Sequence, residues 1–390
     1  MTLTEATWDE ALEISRTAFK SCPVESIALS AAQGRVLGAD MYALCNLPAF
    51  ETSSMDGWVV NGQAPWKIMG EVVTGALSNF SLQSSQCLGI ATGGVIPNGG
   101  QSVIPWEMAE EHDGFVNGQN LLGENIRSAG AECKAGELLI SSGTQLNAPK
   151  IGLLASAGHE DVIVSQTPRI AIFFLGDELV HSGLPAGGLV RDALGPQLPA
   201  LLQAFGAEVI VSDFVTDDLE ILIRKISTVI SAGENAVDMI ITTGGTADGP
   251  RDFVKPALAA LGGRYLIDRV KVRPGYHLLL ASIATSDKRN IAFLALPGNP
   301  QSALAALLSC GRPVIDALRG ATPIRIAQVE MAQEIKTQIG FARLVPGTLE
   351  KNTFTPTLYL GSNMLRGVAS AEGFAVVSEN GPTRWLPIPQ

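Results

Sequence analysis

The sequence predicts a multidomain α/β protein. At its centre is a three-layer, doubly wound α/β domain, accompanied by an inserted β-rich domain, a discontinuous mixed N-terminal domain and a C-terminal β domain. Three observations predict this. Between residues 167 and 319, strands with mainly apolar interiors at 169–175, 208–212, 239–243 and 290–296 alternate with helical stretches, the pattern of a parallel sheet covered on both faces. Residues 46–136 and 320–390 instead carry short apolar runs separated by Gly, Pro and Asn turns, which reads as all-β structure. A chain of 390 residues is also too long for a single hydrophobic core.

Taken in order, residues 4–22 read as an amphipathic helix. Trp8, Ala11, Leu12, Ile14, Ser15 and Phe19 fall near helical spacing, with Thr7 or Thr4 as the cap. Residues 27–38 read as a strand, a turn and a short helix. The β-rich domain, 46–136, has its apolar runs at 57–60, 67–69, 87–92 and 102–104. It holds a polar loop at 48–57 that ends in the turn Asp56-Gly57, and a loop at 91–100 with four glycines. Apolar residues at 137–140 and a helix at 149–157 stopped by Gly158 restore the mixed character. Residues 1–45 and 137–166 therefore read as one discontinuous domain, with 46–136 inserted.

In the α/β domain, 167–319, each apolar strand leads into a helix. The first helix ends near Gly206, the second spans 217–232, the third opens near Pro250 and stops at Gly262-Gly263, and the fourth runs through Leu308. After Ala321, strands at 324–332, 340–349, 354–360 and 373–377 form the C-terminal β domain, 320–390.

Composition limits the function. With 46% hydrophobic and 17% charged residues, the chain reads as a well-packed soluble protein. A formal charge of −11 argues against a nucleic-acid surface, which needs a basic face. No apolar run approaches the roughly 20 residues needed to span a bilayer. The first twenty residues are acidic and amphipathic, without the basic and apolar regions of a secretory signal, so the expected compartment is the cytoplasm. Cys22, Cys45, Cys87, Cys133 and Cys310 form no Cys-x-x-Cys pair and read as reduced, buried thiols. His112, His159, His181 and His277 fit neither a zinc-ligand spacing nor a nucleophile–base arrangement.

Ligands of doubly wound sheets bind beyond the carboxyl ends of the strands. Three of those ends carry the loops Gly176-Asp177-Glu178, Gly244-Gly245-Thr246-Ala247-Asp248 and Pro297-Gly298-Asn299-Pro300. A glycine-rich turn before a helix offers backbone N–H groups and the positive end of the helix dipole to a phosphate. The other reading is that the glycine pair serves backbone geometry alone. Asp177, Glu178, Asp248 and Asp252 in one cleft repel one another unless a cation lies among them. That points to Mg²⁺ orienting a pyrophosphate, with metal-assisted cleavage; alternatively, some of the four face solvent or cap helices. Arg251, Lys255, Lys271 and Arg273 supply positive charge for an anion, although the Lys271–Arg273 segment reads equally as a solvated strand edge.

Several stretches together resemble the bacterial MoeA proteins, the molybdopterin molybdenumtransferases, which are similar to the E domain of gephyrin and its plant homologue. They are Pro48-Ala-Phe-Glu-Thr-Ser-Ser-Met-Asp-Gly57, Thr92-Gly-Gly-Val-Ile-Pro-Asn-Gly-Gly100, Asn125-Ile-Arg-Ser-Ala-Gly130, Leu175-Gly-Asp-Glu-Leu179 and Leu296-Pro-Gly-Asn-Pro-Gln-Ser-Ala303. The resemblance runs in order from about residue 5 to 380. Residues 238–252 also resemble the smaller molybdopterin adenylyltransferases. The resemblance implies a molybdopterin-binding α/β domain within four domains, and a homodimer whose cleft is shared between subunits. It implies Mg²⁺-dependent insertion of molybdate into adenylylated molybdopterin, with release of AMP.

Carried over, the resemblance gives Asp56, Thr92 and Asp252 catalytic positions, with Asp56 and Thr92 approaching the other subunit's cleft. Arg127 would bind the pterin substrate, and Gly298 and Asn299 would shape the pocket floor. Gly244, Gly245, Thr246 and Arg273 join the binding set, and Asp177, Glu178, Asp248 and Asp252 the metal set. A molybdopterin adenylyltransferase and molybdoenzyme-maturation proteins are the expected protein partners. The chain also departs from the family. Pro274-Gly-Tyr276-His277 stands where a Pro-Gly-Lys-Pro run is usual, and Thr246-Ala-Asp248 replaces Ser-Val-Gly. Leu194 replaces an asparagine, and Ala131-Glu132 follows the glycine of a Gly-Glu-Asp run. A neutral Tyr276 cannot supply an ammonium. That departure supports a second reading, a paralogue that binds molybdopterin or its adenylylated form without inserting metal. A third reading is a pyrophosphate hydrolase on the same scaffold.

Overall fold

The computed structural model describes residues 2–73, 75, 80–231, 233, 236–247, 249–358, 361, 364–379 and 381–389. A seven-stranded sheet lies at its centre. Its strands are β1 (Leu3–Ala6), β2 (Arg169–Leu175), β3 (Glu208–Val215), β4 (Met239–Thr243), β5 (Arg264–Val270), β6 (Leu279–Ala284) and β7 (Asn290–Leu296). The helices packed on it are α1 (Trp8–Thr17), α2 (Leu194–Ala204), α3 (Leu219–Ile230), α4 (Val254–Ala260), α5 (Pro300–Ala306) and α6 (Arg312–Leu318), with a π-helical turn, Leu307–Gly311, joining the last two.

Across the sheet the order is β1-β5-β6-β7-β4-β2-β3. Strands β2, β4 and β7 are parallel, with Phe174 opposite Thr243 and Thr243 opposite Leu296, so their carboxyl ends finish level. Side chains alternate between the two faces. Ile172, Ile241 and Leu294 pack with α1, α2, α5 and α6, whereas Phe173, Ile240 and Phe293 pack with α3 and α4. The sheet is mixed, not wholly parallel as the sequence predicted, because β6 runs antiparallel to β5 and β7. The connections on either side of β6 are too short to carry the crossover a parallel pair requires.

The N-terminus also differs from expectation. Leu3–Ala6 is not the start of a helix but an edge strand, with Leu3 opposite Ile267 of β5. The helix begins only after Thr7, whose side chain accepts from the Glu10 N–H while the Glu10 carboxylate accepts from the Thr7 N–H. This capping box fixes the start. Ala6, Trp8, Ala11, Leu12, Phe19 and Cys22 then join the core of the main sheet, so the β1–α1 segment packs on the α/β body and not with residues 137–166. The rest of the N-terminal segment does pair there. Val24–Ala28 is antiparallel to Asp161–Ser165, Met41–Tyr42 to Leu138–Ile140, and Leu37, Met41, Ile140, Leu154 and Val164 share one cluster. The helix at Ala148–Ser156 is capped by Asn147 and followed by Gly158 at φ +98°.

Between these halves lies a six-stranded sheet, ordered Ser102–Pro105, Gly57–Asn61, Gln86–Ile90, Trp66–Glu71, Phe115–Gly118 and Ala109–His112. Thr52–Ser53 pairs separately with Ile126–Arg127. The C-terminal sheet is built from Glu330–Met331, Ala342–Glu350, Thr353–Pro356, Gly373–Val377 and Arg384–Pro387. The strand expected at 324–332 shrinks to Glu330–Met331, and a helix at Leu365–Ala369 was not anticipated. Residues 359 and 360 of the strand expected at 354–360 lie outside the described residues. All five cysteines are free, and burial pushes the Cys22, Cys87 and Cys310 thiols up to about 12.

Arg384 fastens the C-terminal sheet to α1. Its guanidinium donates to both Asp9 carboxylate oxygens and lies 4.4 Å from the centre of the Trp8 ring. The Arg384 partner holds the Asp9 carboxyl below its usual 3.8. A depressed carboxylate value stabilises the fold above the ordinary range, and that share is lost as pH falls through the folded value. Arg384→Met is therefore expected to lower the Tm at pH 7. The gap to the parent should narrow as the pH is taken below 3.8 in a thermal-melt series.

Candidate active site at the carboxyl edge of the main sheet

The loops after β2, β4 and β7 touch one another. The Gly244 N–H donates to the Leu296 carbonyl at 3.0 Å. A Cβ on Gly244 would lie 3.1 Å from the Leu175 carbonyl oxygen, and one on Gly298 would lie 3.4 Å from the Gly244 Cα. Gly244 and Gly245 have φ of +80° and +61°, in the left-handed region that favours glycine. The pair is thus required for backbone geometry, and the Gly244 N–H is spent within the protein. Thr246 is buried just beyond. The helix after β2 covers one face of the sheet and the helix after β4 the other, which opens a crevice between the two strand ends.

Asp177 accepts from the Asp217 N–H at 3.1 Å. Burial pushes the Asp217 carboxyl above its usual value; a hydrogen bond from the Asp177 backbone pulls it down, the Asp177 and Glu178 charges add smaller upward pushes, and Arg251 opposes them. The Glu178 carboxylate folds back over Gly176, where a Cβ would meet it at 2.7 Å. The Asp252 carboxylate accepts from the Gly249 N–H at 2.6 Å and closes a turn. This turn delays α4 to Val254, four residues after the expected start at Pro250. Asp248 lies outside the described residues. Among the described residues, no group of three or more His, Cys, Asp or Glu side chains stands close enough to hold a metal.

Asp217 carries no signal in the sequence: it opens the helix expected over 217–232, where an aspartate is an ordinary cap, but Asp218 makes the cap by accepting from the Ile221 N–H. Asp217 is thereby left beside Asp177 and Glu178. Its raised value means that the folded state prefers the protonated form. That contribution is full below the ordinary 3.8 and is lost as pH rises through the folded value. At pH 7 the charged group opposes folding, so Asp217→Asn is expected to raise the Tm slightly, with the gain disappearing in acid.

Asp56 and Thr92, both exposed, come together across two loops of the β-rich region, where the Thr92 N–H donates to Asp56 Oδ1 at 2.7 Å. Bonds between Ser53 and the 93–94 backbone fix this approach. Arg127 sits opposite Thr52 and lines a cavity of about 780 Å³ with Pro48 and Glu132. Among the described residues, no hydrogen bond or ion pair links Asp56, Thr92 or Arg127 to the carboxyl-edge loops of the same chain.

A Cβ on Gly275 would sit 3.7 Å from the Ser302 carbonyl oxygen and 3.9 Å from the Ala306 Cβ, so the turn between Arg273 and Tyr276 meets α5, the helix that follows the third loop. Arg273 pairs with Arg343 of the C-terminal sheet, and its guanidinium lies 5.3 Å from the centre of the Phe341 ring. The Tyr276 hydroxyl donates to Glu5, and that bond is the first cause raising its pKa. Asn299 Oδ1 is buried without a protein partner. Of the other cations, Lys255 pairs with Asp268 at 3.2 Å.

Residues 6–158 match the family model described as MoeA N-terminal region (domain I and II), and residues 171–317 match that of a probable molybdopterin binding domain. A molybdopterin molybdenumtransferase of Nostoc sp. is 35% identical over 309 residues, covering 76% of this chain and 70% of the relative. One from Staphylococcus epidermidis is 26% identical over 379 residues, covering 92% and 88%. Among solved structures, two of the molybdopterin biosynthesis MoeA protein from Pyrococcus horikoshii superpose with TM-scores of 0.79 and 0.80. They are 23% and 19% identical and cover 98% of this chain and 99% and 98% of theirs, a likeness of fold. No helix among the described residues is long and apolar enough to cross a membrane.

Proposed function

Because the chain belongs to the MoeA family of molybdopterin molybdenumtransferases, enzymes of molybdenum cofactor biosynthesis, we propose that its carboxyl-edge crevice takes adenylylated molybdopterin and molybdate, inserts the metal and releases AMP. The observation that carries this reading is the convergence of the Leu175, Gly244 and Gly298 loops beside carboxylates that repel one another. In this reading the Gly245 and Thr246 backbone meets phosphate, with Gly244 holding the turn. Gly298 and Asn299 form the floor, and the orphaned Asn299 Oδ1 takes a donor from the ligand. Arg273 faces an anionic group.

The all-oxygen donor set suits a hard cation, which would offset both the burial of the Asp217 carboxylate and the smaller push from the Asp177 and Glu178 charges. Because the described carboxylates bring no three side chains close enough to hold a metal alone, Mg²⁺ is proposed to be held by Asp177, Glu178, Asp217, Asp248 and Asp252 only jointly with the oxygens of a bound pyrophosphate. The ion would supply charge neutralisation at the pyrophosphate. The domain partition expected from sequence belongs to the same proposal, with the β1–α1 segment moved to the α/β body. So does a cytoplasmic setting, with a molybdopterin adenylyltransferase supplying substrate and molybdoenzyme-maturation proteins receiving product.

Asp56, Thr92 and Arg127 are proposed to complete the site of a partner subunit in a homodimer. Subunit mixing tests this. Asp56→Ala and Asp252→Ala are each expected to be inactive. After subunit exchange, half the dimers are mixed and each mixed dimer has one intact site, so activity should return to about a quarter of the parent's. No recovery, despite exchange shown by mass spectrometry of tagged subunits, would place both residues in one chain's site.

A further inference from the structure

The C-terminal sheet reaches the site through one aromatic side chain. Phe341 is half-buried at the start of the strand Ala342–Glu350, which pairs in parallel with Val272–Arg273, with Val272 opposite Ala342 and Arg273 opposite Arg343. The Ala342 N–H donates to the Lys271 carbonyl at 2.9 Å. This pairing fixes the Phe341 ring beside the 273–277 loop. The ring centre lies 5.3 Å from the Arg273 guanidinium and 5.8 Å from the centre of the Tyr276 ring. Tyr276 is in turn held by its hydrogen bond to Glu5 and by an edge contact with His277 at 5.1 Å.

Arg273 is exposed, and among the described residues no carboxylate or carbonyl accepts from its guanidinium. A ring face orients a guanidinium while leaving its N–H donors available, because attraction to the π-system uses none of them. An anion arriving at Arg273 therefore meets a cation whose position is already set, and little side-chain entropy remains to be lost.

We propose that Phe341, buttressed by Tyr276, is a positioning residue that preorganises Arg273 for a tetrahedral oxyanion, so that the C-terminal sheet sets oxyanion affinity in a chain that carries Tyr276 at this loop. This rests on the reading of Arg273 as an anion-binding residue.

The test is steady-state kinetics of the full-length protein with adenylylated molybdopterin and Mg²⁺, varying molybdate, alongside thermal melts. Phe341→Leu is expected to raise the molybdate KM about five- to thirtyfold with kcat within about twofold. Phe341→Tyr, which keeps the ring, should restore the parental KM. An unchanged KM in Phe341→Leu, or a loss that Phe341→Tyr fails to rescue, overturns the proposal. A fall in kcat that tracks a fall in Tm, with KM constant, overturns it too, since that is the mark of packing alone. Arg273→Ala separates the two levels of the argument. If it leaves the molybdate KM unchanged, the anion reading of Arg273 fails; if it raises the KM while Phe341→Leu does not, only the positioning role fails.

Discussion

Asp252→Asn is expected to lower molybdate-dependent AMP release by about two to four orders of magnitude while leaving the Tm within a degree or two of the parent's. The asparagine keeps a side-chain oxygen, so the acceptor for the Gly249 N–H and the turn that closes the loop both remain. What disappears is the negative charge proposed to serve the ligand and metal. In Asp252→Ala the acceptor goes as well, and the segment before Val254 loses its closing bond. A stability cost is then added to the loss of activity. Comparing the two variants by kcat and by melting separates the charge from the turn. A kcat for Asp252→Asn within a few-fold of the parent's would remove Asp252 from the chemistry.

The second large effect concerns Gly244. At φ +80° an L side chain is strained, and its Cβ would also sit 3.1 Å from the Leu175 carbonyl. Gly244→Val is expected to cost about 2–4 kcal/mol of stability, through strain and through separation of the β2 and β4 loops. Binding of adenylylated molybdopterin should fall with it. Gly187→Ala is the control for strain alone, because its φ is +63° and nothing lies within 4 Å of the added Cβ. A Gly244→Val protein no less stable than Gly187→Ala would show that the loop convergence is not needed for the fold.

These effects bear on how far the sequence alone could be read. Met239–Thr243 and Asn290–Leu296 were legible to the residue, because an unbroken apolar run ends at Gly244 in one case and Pro297 in the other. With Arg169–Leu175, equally legible, the three loops at the carboxyl edge followed from those bounds. Leu3–Ala6 was not legible: it is a short run beside an amphipathic helix, and it becomes a strand only because β5 offers an edge far along the chain. The same holds for Asp217 and Phe341. Each is ordinary in its local sequence and acquires its setting through pairing between distant segments. Thr7 and Glu10, by contrast, are a local signal that could have placed the helix start correctly.

The central claim is that this crevice couples molybdate insertion to cleavage of the adenylyl group. The most direct measurement follows AMP release and metal-loaded cofactor together, with purified protein, adenylylated molybdopterin and Mg²⁺, in the presence and absence of molybdate. The expected result is AMP release that requires molybdate, matches metal-loaded cofactor one for one and is lost in Asp252→Asn. Tight binding of the substrate with no AMP release, or AMP release indifferent to molybdate, would contradict it.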